Sequence, residues 1–334
     1  MRIRVLQRGA LAICSCVIML SGCWGSKPIT IPDASVVSAQ PHVQHITSPW
    51  MDPGASGQDL LYISSNDRGN VYAYTYPEGQ LVGTLTGFIS PFGECTDAAG
   101  DLFIIAYSNP SMNSSTIYEY AHGGTTPIAT LSDPQGAFGC AVDPTTGDLA
   151  ATGGGIAIYK HASGQPRLLF PTVALWYCGY DDKGNLYVSA VDDRYADQAR
   201  LLRLAAGGSR LESISLNAKL YTGTQWPSVQ WDGKHLAVSS MLYRKPITIY
   251  RLRISGRRAT VVGSTTLSDR INNYYGLTWI QGGTVIGTGT YKRGYENAFF
   301  WPYPKGGAPQ RAIKKVADLK QQLWGVVVSV AGSR

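Results

Sequence analysis

Three observations predict an all-β chain folded as a six-bladed β-propeller of four-stranded antiparallel blades, its ring closed by the C-terminal strand. A unit of about 45 residues recurs along the sequence, within the range expected of propeller blades. Every unit opens with an apolar strand placed after a Gly-containing turn. The last strand, from Trp324 to Val330, has no opening strand after it, and the first opening strand, at Leu60, lacks a clear predecessor of the same type.

The opening strands are Leu60–Ser64, Leu102–Tyr107, Leu149–Thr152, Leu186–Ala190, Leu236–Ser240 and Val285–Thr290. A variable loop leads from each to a second strand: Val71–Tyr76, Ile117–Tyr120, Ile156–Lys160, Leu201–Leu204, Ile247–Leu252 and Ala298–Tyr303. The alternation in Val71–Tyr76 is the period-two pattern of a half-buried strand. Tight turns follow at Pro77–Gly79, His122–Gly124, Ala162–Gly164, Ala206–Gly208, Ser255–Arg257 and Lys305–Gly307, where glycine supplies the positive φ of a short hairpin. A third strand comes next, as in Leu81–Leu85, Ile128–Leu131 and Thr260–Leu267. The fourth is announced by an aromatic residue: Phe92, Phe138, Trp176, Trp226, Tyr275 and Trp324. If the C-terminal strand becomes the innermost strand of the first blade, both leftover strands are satisfied and no unpaired edge remains there. A segment around Trp50, Ser48–Asp52, competes for that inner position and matches the repeat less well.

The segment ahead of the repeats carries Arg2, Arg4 and Arg8, no acid, and an apolar stretch from Ala10 to Leu20. That stretch is far shorter than the ~20 residues a spanning helix needs, so residues 1–22 read as a signal peptide. Leu20-Ser21-Gly22-Cys23 resembles the bacterial lipobox. The resemblance implies that Cys23 is lipidated with a palmitate-bearing diacylglyceryl group and becomes the mature N-terminus. Trp24 stands where the inner-membrane retention signal of enteric bacteria places Asp, so the expected address is the cell envelope, at the outer membrane facing the periplasm. Residues 23–45, rich in Ser and Pro, are expected to form a flexible tether, and 46–334 the propeller.

Of the six cysteines, Cys14 and Cys16 lie in the signal segment and Cys23 is the lipid site. Cys95, Cys140 and Cys178 remain, in corresponding strands of successive units, where a small apolar side chain packs well. Buried thiols are the expectation; an odd set allows at most one intramolecular disulfide. Cleavage after residue 22 removes three arginines and no acid, lowering the formal charge from +7 to +4. The remaining basic residues scatter over many loops, which argues against nucleic acid as a partner.

Asp97–Ile104 and Asp181–Val188 resemble the D-x-x-G-[ND]-L-Y-V turn of NHL-type propellers, and Asp143–Leu149 is a looser copy. The WD-repeat alternative is weaker, because Trp231-Asp232 occurs once and its Gly-His companion is missing. The repeated aspartates are expected to accept hydrogen bonds from their own turn amides. NHL-type propellers share their shape with the gluconolactonase group, whose members hold a divalent metal at the channel mouth with Glu, Asn and Asp. This resemblance makes a metal-dependent hydrolase or lactonase, with Glu94 as a ligand, the alternative function. Among residues beginning the inner strands only Glu94 is a carboxylate, whereas a hard cation wants roughly 6 to 8 oxygen ligands. No cofactor and no catalytic constellation is expected: the five histidines fall in the tether or on turns of the opposite face, and no phosphate loop or nucleophile elbow occurs.

In a propeller, the loops entering the inner strands and those between the first and second strands share one face. That face collects Phe92, Phe138, Trp176, Trp226, Tyr275 and Trp324, with Arg68, Arg194, Arg244 and Arg293 from the longer loops. The opposite face receives short Gly turns. The candidate function is therefore a monomeric, non-catalytic binding or scaffold propeller whose mouth recognises a glycan, a peptide or an envelope protein. The competing packing for each ring is as a wedge between adjacent blades.

Overall fold

The computed structural model describes residues 48–334 apart from 110, 193–194, 223–225, 243–244, 269–270, 274–276, 292–294, 319–321 and 333–334. The segments 1–22 and 23–45, with Cys23, lie outside the described residues, as do Arg194, Arg244, Tyr275 and Arg293. The description that follows concerns one unit, His45–Arg334.

Strands β1 (Trp50–Met51), β2 (Leu60–Ser65), β3 (Asn70–Thr75) and β4 (Leu81–Thr86) begin the fold. Next come two four-stranded sheets. The first holds β5 (Pro91–Thr96), β6 (Leu102–Tyr107), β7 (Ser115–Tyr120) and β8 (Pro127–Asp133); the second holds β9 (Ala137–Val142), β10 (Leu149–Gly153), β11 (Ile156–Tyr159) and β12 (Arg167–Leu169). One antiparallel run follows in β13 (Leu175–Tyr180), β14 (Leu186–Asp192), β15 (Tyr195–Leu204) and β16 (Leu211–Leu216), with the short β17 (Leu220–Tyr221) beside β15. Another is formed by β18 (Val229–Trp231), β19 (Leu236–Ser240), β20 (Ile247–Ser255) and β21 (Arg258–Leu267). Strands β22 (Ile271–Asn273), β23 (Thr278–Gln281), β24 (Thr284–Tyr291), β25 (Tyr295–Pro302) and β26 (Arg311–Asp318) make a further sheet. Finally β27 (Leu323–Ser329) returns to pair antiparallel with β2, from Leu60↔Ser329 to Ser65↔Leu323.

The result is an all-β, propeller-like arrangement in five sheets, where six separate sheets of four strands were expected. The difference has a local cause. The outer strands β16 and β21 pair in parallel through Ser215↔Arg258 and Leu216↔Ala259, which merges two antiparallel runs into one nine-stranded sheet. Hydrogen bonding between them removes two exposed edges at once. A second edge is covered by β1, which pairs with β4 through Trp50↔Thr84 and Met51↔Gly83. The Trp50 segment thus adds an outer strand, and the inner position belongs to β27.

The local signals act as their chemistry dictates. All six predicted turns carry a glycine at positive φ, between 57° and 79°. Asp97 accepts hydrogen bonds from the amides of Ala99 (2.9 Å) and Asp101 (2.8 Å), and Asp181 from those of Lys183 and Asn185, both 2.9 Å. Asp143 and Asp232 bind their own turn amides in the same way. Strand β2 is buried along its whole length, as a continuous apolar run between two neighbouring sheets should be.

At the centre, β27 packs on β5, β5 on β9, β9 on β13 and β13 on β18, while β23 packs on β27. This approach depends on glycine. A Cβ on Gly93 would overlap the carbonyl of Phe138, one on Gly139 the ring of Tyr177, and one on Gly325 the carbonyl of Phe92. Each of these glycines directly follows an aromatic residue that heads an inner strand.

The cysteine expectation needs correction for two residues of three. Cys95 and Cys140 form a disulfide with a Cα–Cα distance of 5.7 Å, and only Cys178 is a buried thiol among the described residues. Residues of adjacent inner strands come within bonding reach because the glycines draw those strands together. The sequence separation of 45 is about one repeat period.

The close approach is testable. Gly93→Ala should destabilise the protein by at least ~2 kcal/mol, because a backbone carbonyl must move. Gly57→Ala, whose Cβ would meet nothing within 4 Å, should change stability by less than ~1 kcal/mol in the same denaturant titration.

Candidate functional site

Among the described residues, the aromatics heading five inner strands, Phe92, Phe138, Trp176, Trp226 and Trp324, meet in one cluster on the face that the loop pattern marked as the mouth. The Phe92 ring lies 5.8 Å from Phe138 and 5.1 Å from Trp324, centroid to centroid. Phe138 reaches Trp176 at 5.8 Å and Trp226 at 5.2 Å, and Trp226 reaches Trp324 at 5.6 Å. Trp176 and Trp226 stack at 3.9 Å with planes 17° apart. The rings therefore contact one another across the mouth, which the wedge packing would not give. Offset and edge contacts of this kind are worth about 0.5–1.5 kcal/mol per pair beyond burial. Phe92 is buried, while Phe138, Trp176, Trp226 and Trp324 keep part of their surface in solvent. The Trp176 indole N–H is buried without a hydrogen-bond acceptor.

Two aromatics of the cluster were not among the expected site residues. Tyr107, at the mouth end of β6, stands edge-on to Phe92 at 5.0 Å. Tyr177 occupies the position that is glycine after Phe92, Phe138 and Trp324, and its ring lies 6.4 Å from Trp226. Their sequence signals were present: an aromatic ending an opening strand, and an aromatic replacing glycine at a repeated position. Arg68, the remaining expected residue within the described set, is exposed on the 3-10 turn after β2, on the mouth side. The neighbouring Asp67 carboxylate accepts from the Gln322 amide at 3.2 Å.

A narrow cavity of about 30 Å³ is lined by Glu94, Cys140, Tyr177, Cys178, Ser228 and Thr278, among others. Of the aromatic residues in the cluster, only Tyr177 lines it. Glu94 sits two residues past Phe92 on β5, where the pairing with β6 shifts register between Pro91 and Glu94. It is 2% exposed, and neither carboxyl oxygen has a hydrogen-bond partner. Burial pushes its carboxyl well above the usual range, and the nearby Ser64 hydroxyl offsets only part of that. Ser64 is itself engaged: it donates to the Phe92 carbonyl and accepts from the Gly325 amide, both at 2.6 Å. Burial likewise raises the Cys178 thiol and the Tyr62 phenol to about 12, and the Tyr177 phenol further.

Burial disfavours the charged form of Glu94, and its surroundings do not suit a hard cation. No second carboxylate and no imidazole lines the cavity, and no group of three or more His, Cys, Asp or Glu residues able to hold a metal occurs among the described residues. The hydrolase alternative gains no support from this donor set. His122, His161 and His235 lie on the opposite face; the imidazole of His122 contacts the Ser329 hydroxyl and the Gln58 carbonyl, tying a turn to the closing strand. A wider cleft of about 250 Å³ on that opposite face is flanked by Asp181, Lys183, Arg203, Trp231 and Lys234. Its central charges are spent locally: Asp181 on turn amides, Arg203 on Glu212 at 2.6 Å and on the Gly256 carbonyl at 2.9 Å.

No family model matches the chain, and no curated protein matches it. Solved structures do. A protein of unknown function from Bacteroides caccae is similar over 81% of this chain and 99% of that one, at 12% identity and a TM-score of 0.56. The β-propeller domain of Myceliophteria thermophila Cps50 (Swd1) is similar over 82% and 88%, at 11% identity and a TM-score of 0.51. Kuenenia stuttgartiensis hydrazine synthase is similar over 79% of each chain, at 13% identity and a TM-score of 0.50. At these identities the likeness is one of fold, a β-propeller.

The state of Glu94 has a thermodynamic signature. Its folded pKa lies above its unfolded value near 4.5, so its contribution to stability is complete below that pH and is lost as pH rises. Stability should therefore fall above pH ~4.5 by up to about 1.4 kcal/mol per unit from this group until its folded pKa is passed. Glu94→Gln, which keeps the shape and removes the proton equilibrium, should flatten that decline and be the more stable form at pH 8 in thermal unfolding.

Proposed function

We propose that the chain is an NHL-type, six-bladed propeller, anchored in the cell envelope through lipidated Cys23, that binds a ligand at its aromatic mouth without catalysing a reaction. Support for six blades comes from the sheets themselves. The nine-stranded sheet divides at its two-residue parallel pairing into two antiparallel runs of four, and β27 supplies the inner strand of the first blade. The NHL-like Asp turns recur with their amide hydrogen bonds. The lipoprotein reading rests on the lipobox-like Leu20–Cys23 and the short apolar segment before it.

The observation that carries the binding reading is the convergence of five mouth aromatics from five separate inner-strand entries on one partly exposed cluster. Rigid rings with a polar handle supply contact area at low entropic cost and dominate recognition surfaces. A purely structural cluster would gain nothing by leaving part of Phe138, Trp176, Trp226 and Trp324 in solvent. The ligand classes that suit such a surface are a glycan stacking on the indoles, a peptide, or an envelope protein presenting an apolar side chain.

Two experiments test these parts separately. On glycan and peptide arrays, the Trp176→Ala/Trp226→Ala double variant should lose at least tenfold in affinity for whatever the parent chain captures while keeping its far-ultraviolet circular dichroism. Unchanged capture would place binding elsewhere. In cells fed a labelled palmitate, Cys23→Ala should abolish labelling and release the protein from the detergent phase; persistent labelling would refute the anchor.

A further inference from the structure

We infer that the fold is completed by a two-electron oxidation joining Cys95 to Cys140 while the sheets that carry them are still open to solvent, performed by a thiol–disulfide oxidant of an oxidising compartment. This step is independent of the mouth and of the lipid on Cys23. It gives the folding chain a partner of defined chemistry.

The bond lies inside the packed structure. Cys95 is 3% exposed and Cys140 8% exposed. They join two separate sheets, β5 of one to β9 of the next, and belong to the apolar cluster between those sheets with Phe103, Ile105, Leu131, Leu149 and Tyr159. A disulfide is passed to a dithiol by direct attack on sulfur, through a mixed disulfide that couples the two molecules covalently. A partner protein needs room beside the sulfur for that reaction, and the finished cluster leaves almost none of either cysteine in solvent. The exchange therefore precedes the sealing of the two sheets against each other. The compartment follows from the same bond, because cytosolic thiols are kept reduced and structural disulfides persist where the surroundings oxidise.

The step balances in two exchanges. One thiolate of the chain attacks the oxidant's disulfide, forming a mixed disulfide and leaving a thiolate on the oxidant's second sulfur. The other thiolate of the chain then attacks the chain sulfur of that mixed disulfide, which closes Cys95–Cys140 and releases the oxidant as a dithiol. The chain loses two electrons, the oxidant gains them, and the two thiol protons pass from one to the other. Cys178 is the competitor for the second exchange, and the β9–β12 sheet sets it apart. Cys140 packs with Leu149 and Ala151 on one face of that sheet; Cys178 packs with Ala150 on the other, its thiol directed at the Ala150 carbonyl 4.0 Å away. Correct pairing thus calls for the β9–β12 sheet to exist when the bond closes. The order is sheet, then bond, then sealed cluster.

The test follows the newly made full chain in a bacterial host with and without its extracytoplasmic thiol oxidase. Samples are quenched in acid, denatured and labelled with a mass-adding maleimide, with limited proteolysis of parallel samples as the measure of folding. With the oxidase, Cys95 and Cys140 should lose their thiols before the chain becomes protease-resistant, and Cys178 should keep its own. Without it, the yield of resistant chain should fall at least tenfold. Cys95→Ala/Cys140→Ala should accumulate equally in both hosts; if that variant does not fold, the purified parent decides, since dithiothreitol should reduce its bond at least a hundredfold more slowly in buffer than in guanidinium chloride. Resistant chain whose Cys95 and Cys140 are oxidised only later, undiminished bond formation without the oxidase, or equal rates of reduction would each overturn the inference. The anchor is scored separately: Cys23→Ala should lose the palmitate label and keep the bond. A labelled parent with free Cys95 and Cys140 would refute the oxidation and leave the anchor standing, whereas an unlabelled parent with the bond formed would do the reverse.

Discussion

The contact on which the rest of the structure depends is the close approach of successive inner strands at the centre of the fold. Neighbouring inner strands come closest where one of them carries no Cβ, as at Gly93, Gly139 and Gly325. Because each glycine follows the residue that heads its strand, the same dipeptide that lets the strands close also sends an aromatic ring to the mouth. Closure and the binding surface are therefore one design. The disulfide between Cys95 and Cys140 belongs to it too, since thiols on neighbouring inner strands come within bonding distance only at this spacing.

A centre closed in this way buries Glu94, and that burial sets the direction of its titration. In five of six units the corresponding residue is a cysteine, a serine or an apolar or small side chain: Cys140, Cys178, Ser228, Leu277 and Val326. Only the second unit places a carboxyl group there, between β27 and β5, where Ser64 and the Gly325 backbone crowd it. Burial there disfavours its charged form.

Much of the fold was legible in the sequence because its signals are local. Opening strands such as Leu102–Tyr107 and Leu236–Ser240 coincide with β6 and β19, and Gly79, Gly123 and Gly207 take the positive φ that their turns required. The convergence of Phe92, Phe138, Trp176, Trp226 and Trp324 was also legible, since position in a repeat fixes position around an axis. What was not legible depends on side-to-side contact between units. Parallel pairing of β16 with β21 rests on two residues whose sequence carries no special mark, and it merges two sheets that the repeat alone keeps apart. The Cys95–Cys140 bond escaped notice because the two residues are one place out of register: Cys140 corresponds to Glu94, and Cys95 to Ala141. Tyr107 and Tyr177 carried positional signals, one ending an opening strand and one replacing a repeated glycine, but their ring contacts exist only in the folded chain.

The account stands or falls on the centre being closed around a buried acid. The direct measurement is a ¹³C nuclear magnetic resonance titration of the Glu94 carboxyl carbon, assigned by its loss in Glu94→Gln. The account predicts a midpoint well above the ordinary 4.5. A midpoint near 4.5 would mean that water reaches the axis, and it would contradict the packing of the inner strands.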